Sequence, residues 1–221
     1  RPVAAAPPPV KPRWRGVSHQ WAFFVSLALA LGLILAAPGA KAAVAAAIYA
    51  VSLCGLLGVS ALYHRRTWAT VRARMWMRRL DHAMIFLLIA GTYTPFALLV
   101  MHGTLATVIL AVVWSGALAG IVTILLWPTA PKWVNALIAV SLGWVAVAAA
   151  PQLVANAGLA ATLLLAAGGL LYTAGAIVYA THRPDPRPAT FGYHEVFHVL
   201  VLAAAAVHFG AVAGFALPAG A

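Results

Sequence analysis

Residues 104–127 read TLATVILAVVWSGALAGIVTILLW. No charged side chain interrupts them. At about 1.5 Å per residue, a helix of this length exceeds the ~30 Å hydrocarbon core of a bilayer. Ala, Leu, Val and Gly dominate, and small residues let helices approach closely in lipid, where no hydrophobic force draws them together. Working outward, similar apolar runs cover 20–37, 42–63, 80–101, 132–150, 157–180 and 194–217. The fifth is the weakest, being short and holding Asn135, Ser141 and Gly143. Pro95 predicts a kink in the third. The expected fold is all-α: a seven-transmembrane helix bundle over 19–221. A basic, Pro-rich arm precedes it at 1–18. There Pro2, Pro7, Pro8, Pro9 and Pro12 oppose a helix, and the arm reads as disordered.

Composition agrees with the spans. Of 221 residues, 64% are hydrophobic and 8% charged, and mean hydropathy is +0.97. A soluble domain carries about a quarter charged residues, so the polar cover of a water-facing surface is missing. The single cysteine, Cys54, excludes a disulfide framework and a Cys-based zinc site. No cleavable signal peptide is expected, because no A-x-A-like site closes a short apolar segment.

The net charge of +11 has a topological explanation that needs no nucleic acid. With seven spans, the arm and the second, fourth and sixth loops share one side. That side holds thirteen of the fourteen basic residues, and Lys41 stands alone on the other. The positive-inside rule then puts the N-terminus in the cytoplasm and the C-terminus outside. Six spans would split this pattern. The second loop, Arg65–Arg79, fits either an interfacial helix against anionic headgroups, since Trp68, Val71 and Met75 fall at helical spacing, or a solvated basic loop.

Ionisable residues at membrane depth are costly and mark candidate sites. Ser60 and His64 lie one turn apart at the cytoplasmic end of the second span, and Asp81 and His82 open the third. His194 and His198 open the seventh, on one helix face. Three neutral imidazoles, His64, His194 and His198, could ligate zinc at roughly 2.0–2.1 Å and leave a fourth position for water. Asp81 and Ser60 are the candidates to hold that water or accept its proton. Each residue has a plainer alternative. The histidines could bond to headgroups or backbone, and Asp81 could cap a helix beside Arg78 or Arg79. Ser60 could bond back to the Leu56 carbonyl. His82, about 100° around the helix from Asp81, reads as a supporting residue. So do Tyr63, which suits the interface belt, and Glu195, which favours the positive helix N-terminus. His208, about 15 Å deeper than His198, reads as a packing residue. His19, His102 and His182 read as loop residues.

The stretches Ser60-Ala-Leu-Tyr-His64, Arg79-Leu-Asp81-His82 with Gly91-Thr-Tyr-Thr-Pro95, and His194-Glu-Val-Phe-His198 resemble the haemolysin III family. That family belongs to the wider group containing the progestin and adiponectin-receptor proteins. The resemblance implies a seven-helix bundle with a cytoplasmic N-terminus, in the bacterial inner membrane. It also implies zinc on His64, His194 and His198, with Asp81 and Ser60 close to the metal-bound water. Eukaryotic relatives are linked to hydrolysis of ceramide-type amides, bacterial members to membrane homeostasis. The expectation is a zinc-dependent intramembrane hydrolase whose partner is a membrane lipid, an amide or ester. The alternatives are a non-enzymatic sensor or stress protein with structural zinc, and a pore. A pore usually shows polar rings along a path, and here the polar residues gather at one end. A haem site lacks a second helix with a matching His pair. Oligomeric state stays open.

Overall fold

The computed structural model describes residues 11–127 and 129–221. These residues form seven α-helices in order: α1 Val17–Leu35, α2 Ala40–Arg65, α3 Val71–Leu99, α4 Gly103–Leu126, α5 Lys132–Gly143, α6 Ala150–Thr181 and α7 Tyr193–Ala211. A 3₁₀ segment, Trp144–Ala149, joins α5 to α6, and a π turn, Val212–Ala216, extends α7. Among the described residues there is no strand, only an isolated bridge between Arg187 and Phe191. Among the described residues, six helical units are long and apolar enough to cross a membrane, because α5, the 3₁₀ segment and α6 run on as one unit, Lys132–Thr181.

That unit is not straight. Gly158 has φ 86° and ψ 165°, a conformation open essentially to glycine alone. Trp144 Nε1 donates to Thr173 Oγ1 at 3.0 Å, and Lys132 Nζ to His182 Nε2 at 2.8 Å. Residues 144 and 173 would lie about 43 Å apart along one continuous helix. The chain therefore doubles back at Gly158 into a hairpin. Its bend is tied to the α3–α4 turn, where Asn156 Nδ2 donates to the Val100 carbonyl at 2.9 Å.

The 3₁₀ segment breaks the i→i−4 ladder inside the bundle, and Tyr93 of α3 repairs it. Its hydroxyl donates to the Gly143 carbonyl and accepts from the Ala146 N–H, each at 2.6 Å. α3 is the most buried of the apolar helices. Other helices leave Leu31, Leu118, Leu163 and Leu170 exposed. On a soluble protein such apolar surface would be a liability, but in lipid it faces its own solvent.

Three expectations change here. The basic stretch 65–79 is neither a separate interfacial helix nor a loop throughout. α3 already starts at Val71, where the Thr70 side chain accepts from the Ala73 N–H at 3.1 Å. Asp81 is accordingly well inside α3 and caps nothing. Residues 1–10 of the arm lie outside the described residues. From 12 to 15 the chain turns, and Arg13 and Trp14 donate backbone N–H bonds to the carbonyls of Ala189 and Thr190. Pro95 stands inside α3, buried.

Two tyrosines give opposite predictions. Tyr93→Phe leaves buried backbone groups unpaired and is expected to cost roughly 1–3 kcal/mol. The Tyr49 hydroxyl is buried and has no partner among the described residues. Tyr49→Phe is expected to be neutral, or stabilising by up to ~1 kcal/mol. Reversible unfolding in mixed detergent micelles checks both signs.

Candidate metal centre

α2 ends, and α3 and α7 run, at one end of the bundle. His64 is in the last turn of α2, and His194 and His198 are in the first turns of α7. All three are buried, and one ligand atom from each lies within 4.8 Å of the others. His64 Nε2 and His194 Nε2 are 3.1 Å apart. Two nitrogens bound to one tetrahedral zinc at about 2.0–2.1 Å would be roughly 3.3 Å apart, so the spacing suits a shared ion. His198 Nδ1 is buried without a hydrogen-bond partner. An orphaned buried nitrogen is costly unless something binds the ring. The donor set, three imidazoles with a carboxylate beside them, matches zinc's borderline preference.

The carboxylate is Asp81, with Oδ2 3.7 Å from His64 Nε2. The Ser60 hydroxyl of α2 lies beside it. Ser60 Oγ does not turn back to Leu56 but pairs with His19 Nδ1 at 2.9 Å. His82 also differs from expectation. Its Nδ1 is 3.7 Å from Asp81 Oδ2, so the ring folds back toward the carboxylate despite the helical offset. Nδ1–H donates to the Arg78 carbonyl at 2.7 Å, which leaves Nε2 to accept from the Tyr179 hydroxyl at 2.8 Å. Tyr63 packs its ring 4.6 Å from that of His64. Glu195 is buried. One of its oxygens accepts the Gly192 N–H at 2.8 Å, closing the start of α7, and the other takes Arg15.

His19 was expected in a loop and is instead a buried residue of α1. Its ring stacks on that of His198 with centroids 3.8 Å apart and planes 8° off parallel. Hydropathy placed the first span at 20, one residue too late to include it. The signal available was its chemistry, a histidine at the same end as the other polar groups. His102 stands before the first turn of α4 and His182 after the last turn of α6, as junction residues. His208 donates Nε2–H to the Leu165 carbonyl at 3.1 Å and lines the cavity described next.

A cavity of about 180 Å³ opens from the cluster into the bundle. It runs past Phe86, Ile89 and Phe96 to Met101 and Leu153 near the opposite turn. Its mouth is polar and its length apolar. The segment before α1 closes the outer side of the cluster. Gly16 has φ 77°, and a Cβ there would sit 2.5 Å from His64 Cβ. Only a glycine lets this backbone lie against His64. The Arg15–Glu195 pair holds the segment down. Arg15→Ala would strand a buried carboxylate and is expected to cost about 3 kcal/mol, the low end for a buried pair because Arg15 is partly exposed. Arg65→Ala, which removes only an exposed bond to Gln20, is expected to change stability by under ~0.5 kcal/mol. Thermal unfolding of the two variants in one detergent compares them.

The chain is similar to known proteins over most of its length. A profile of the family described as Haemolysin-III related matches residues 9–209. Hemolysin-3 of Bacillus cereus is 34% identical over 179 residues, covering 81% of this chain and 78% of that protein. The Hemolysin-3 homolog of Bacillus subtilis (strain 168) is 33% identical, covering 73% and 72%. More distantly, the Monocyte to macrophage differentiation factor of Homo sapiens is 27% identical, covering 75% and 67%. With its apolar helices and its end-gathered polar cluster, the chain belongs to the haemolysin III-related family and is an integral membrane protein of the bacterial plasma membrane.

Proposed function

We propose that the chain is a seven-span, zinc-dependent hydrolase of membrane lipid amides or esters, with its N-terminus in the cytoplasm. The observation that carries this reading is the convergence of three buried imidazoles and one carboxylate at the mouth of an apolar cavity. The hairpin supports a count of seven spans. Fifty helical residues would extend about 75 Å if straight, against a core of ~30 Å, and the bend at Gly158 divides them into two crossings. The orientation is supported by the seven-span reading of the sequence, which assigns thirteen of the fourteen basic residues to one side.

Held by His64, His194 and His198, zinc would supply a Lewis acid and a water acidified toward neutral pH. The chain's own groups do the rest. Asp81 Oδ2 takes a proton from the attacking water and returns it to the leaving nitrogen or oxygen. Ser60 lies beside that carboxylate and is itself positioned by His19 Nδ1. His82, fixed between the Arg78 carbonyl and Tyr179, backs Asp81 from the other side. Phe86, Ile89 and Phe96 receive an acyl chain and keep bulk water from the reacting end. The same apolar lining argues against a water-filled pore, whatever the relatives' names suggest.

Elemental analysis of purified wild type beside His198→Ala tests the ligands. About one zinc per chain, lost in the variant, is expected, and equal metal in both overturns the site. Asp81→Asn is expected to keep the metal and to lower hydrolysis of labelled ceramide-like lipids by about 10²–10⁴-fold. A metal-loaded wild type with no turnover on any lipid amide or ester overturns the hydrolase and leaves a structural ion.

A further inference from the structure

We propose a second binding site, for the phosphate of an anionic phospholipid, in a cleft beside the histidine cluster. The cleft, about 50 Å³, lies between α3, α4, α5 and α6 and presents Arg78, Arg79 and Lys132 together with Asn135. All three acids of the chain are engaged elsewhere. Among the described residues, Glu195 pairs with Arg15 and Asp81 approaches only His64 and His82. Asp185 accepts the Tyr193 N–H. The three cations of the cleft therefore have no carboxylate partner.

Two groups in the cleft are buried and unpartnered, and they differ in hydrogen-bonding sense. Arg79 Nε–H is a donor without an acceptor, and Asn135 Oδ1 is an acceptor without a donor. The Arg79 guanidinium lies over the exposed Trp76 ring at 4.7 Å. Lys132 is held by His182 Nε2 at 2.8 Å and the Tyr193 hydroxyl at 3.1 Å, which leaves one of its three protons to give. The ligand must supply an anionic oxygen to Arg79 and a hydroxyl or N–H to Asn135. A phosphodiester with a hydroxylated headgroup supplies both.

The cleft also points to a lipid and not a free ion. His82, Asn135 and Tyr179 line both this cleft and the apolar cavity. A phosphate at Arg79 thus leaves an attached chain at the mouth of that cavity. Basic pockets between membrane helices are a general device for holding anionic headgroups. Arg72 and Arg74, exposed on the same helix and outside the cleft, carry the same charge without the setting. This site requires neither metal nor turnover, so it stands apart from the hydrolase reading.

Native mass spectrometry of the full chain in uncharged detergent tests it, with phosphatidylglycerol and phosphatidylcholine offered in equal amounts. Preferential retention of phosphatidylglycerol is expected. Arg78→Gln with Arg79→Gln is expected to reduce that retention at least about tenfold, at ~1 kcal/mol per basic residue. Arg72→Gln with Arg74→Gln is expected to leave it unchanged, and Arg78→Lys with Arg79→Lys, which keeps the charge but not the Arg79 Nε–H, is expected to retain more lipid than the Gln pair and less than wild type, which guards against misfolding. Inorganic phosphate that displaces the lipid supports a phosphate site and gives the free ion a share in it. Lipid retained against inorganic phosphate supports recognition of the whole amphiphile. Equal retention of the two lipids, or an equal fall in both Gln pairs, overturns the proposal.

Discussion

In hydrocarbon a backbone N–H or C=O has no water to bond, and leaving one unpaired costs several kcal/mol. Every element of this chain answers to that constraint. The long apolar runs among the described residues are helical. Hydroxyl side chains inside the helices bond back to the preceding turn, as Thr92 does to Leu88, Thr94 to Ala90 and Thr173 to Gly169. The backbone departs from the α-helix where another group takes over its bonds. Tyr93 serves the 3₁₀ segment after α5, and Asn156 ties the hairpin bend to α3.

The same cost sorts the ionisable side chains. A charge at the middle of the bilayer is expensive, so polar chemistry collects at one end, where the helices leave the lipid. There α2 contributes its last turn, α7 its first turns, α3 a mid-helix carboxylate and α1 a stacked imidazole. Because α3 is 29 residues long, it overruns the hydrocarbon by roughly two turns. That overrun carries Arg78 and Arg79 out of the core while Asp81 stays beside His64. One helix thus serves both the histidine cluster and the basic cleft.

Closure of the cluster depends on contacts far apart in the chain. The segment before α1 crosses the histidine end, pinned by Arg15 to Glu195 and by backbone bonds to Ala189 and Thr190. Gly16 lets it lie against His64. The loop before α7 is therefore both the start of the helix that carries two imidazoles and the anchor for the chain that covers them.

Much of this was legible in residue order. Apolar runs of bilayer length are local, so hydropathy alone located the helices, although α3 begins nine residues and α6 seven residues before the apolar runs that announce them. Basic residues crowded on one side, and the histidines, Asp81 and Ser60 stood at span ends of common depth. What residue order left open depended on packing between distant segments. His19 falls just before an apolar run, and nothing local separates a buried α1 histidine from a loop one. The weak fifth run becomes a hairpin arm only because Tyr93, 50 residues away, satisfies its broken backbone. His82 looked turned away from Asp81 by helical offset, but its flexible χ angles and its Tyr179 and Arg78 partners return it. The sequence by itself determined that the chain is an all-helical membrane protein with its polar groups at one end, because lipid solvation acts on each segment separately. Only the tertiary structure decided which of those groups touch, since contact between α1, α2, α3 and α7 is a property of their packing and of no single stretch.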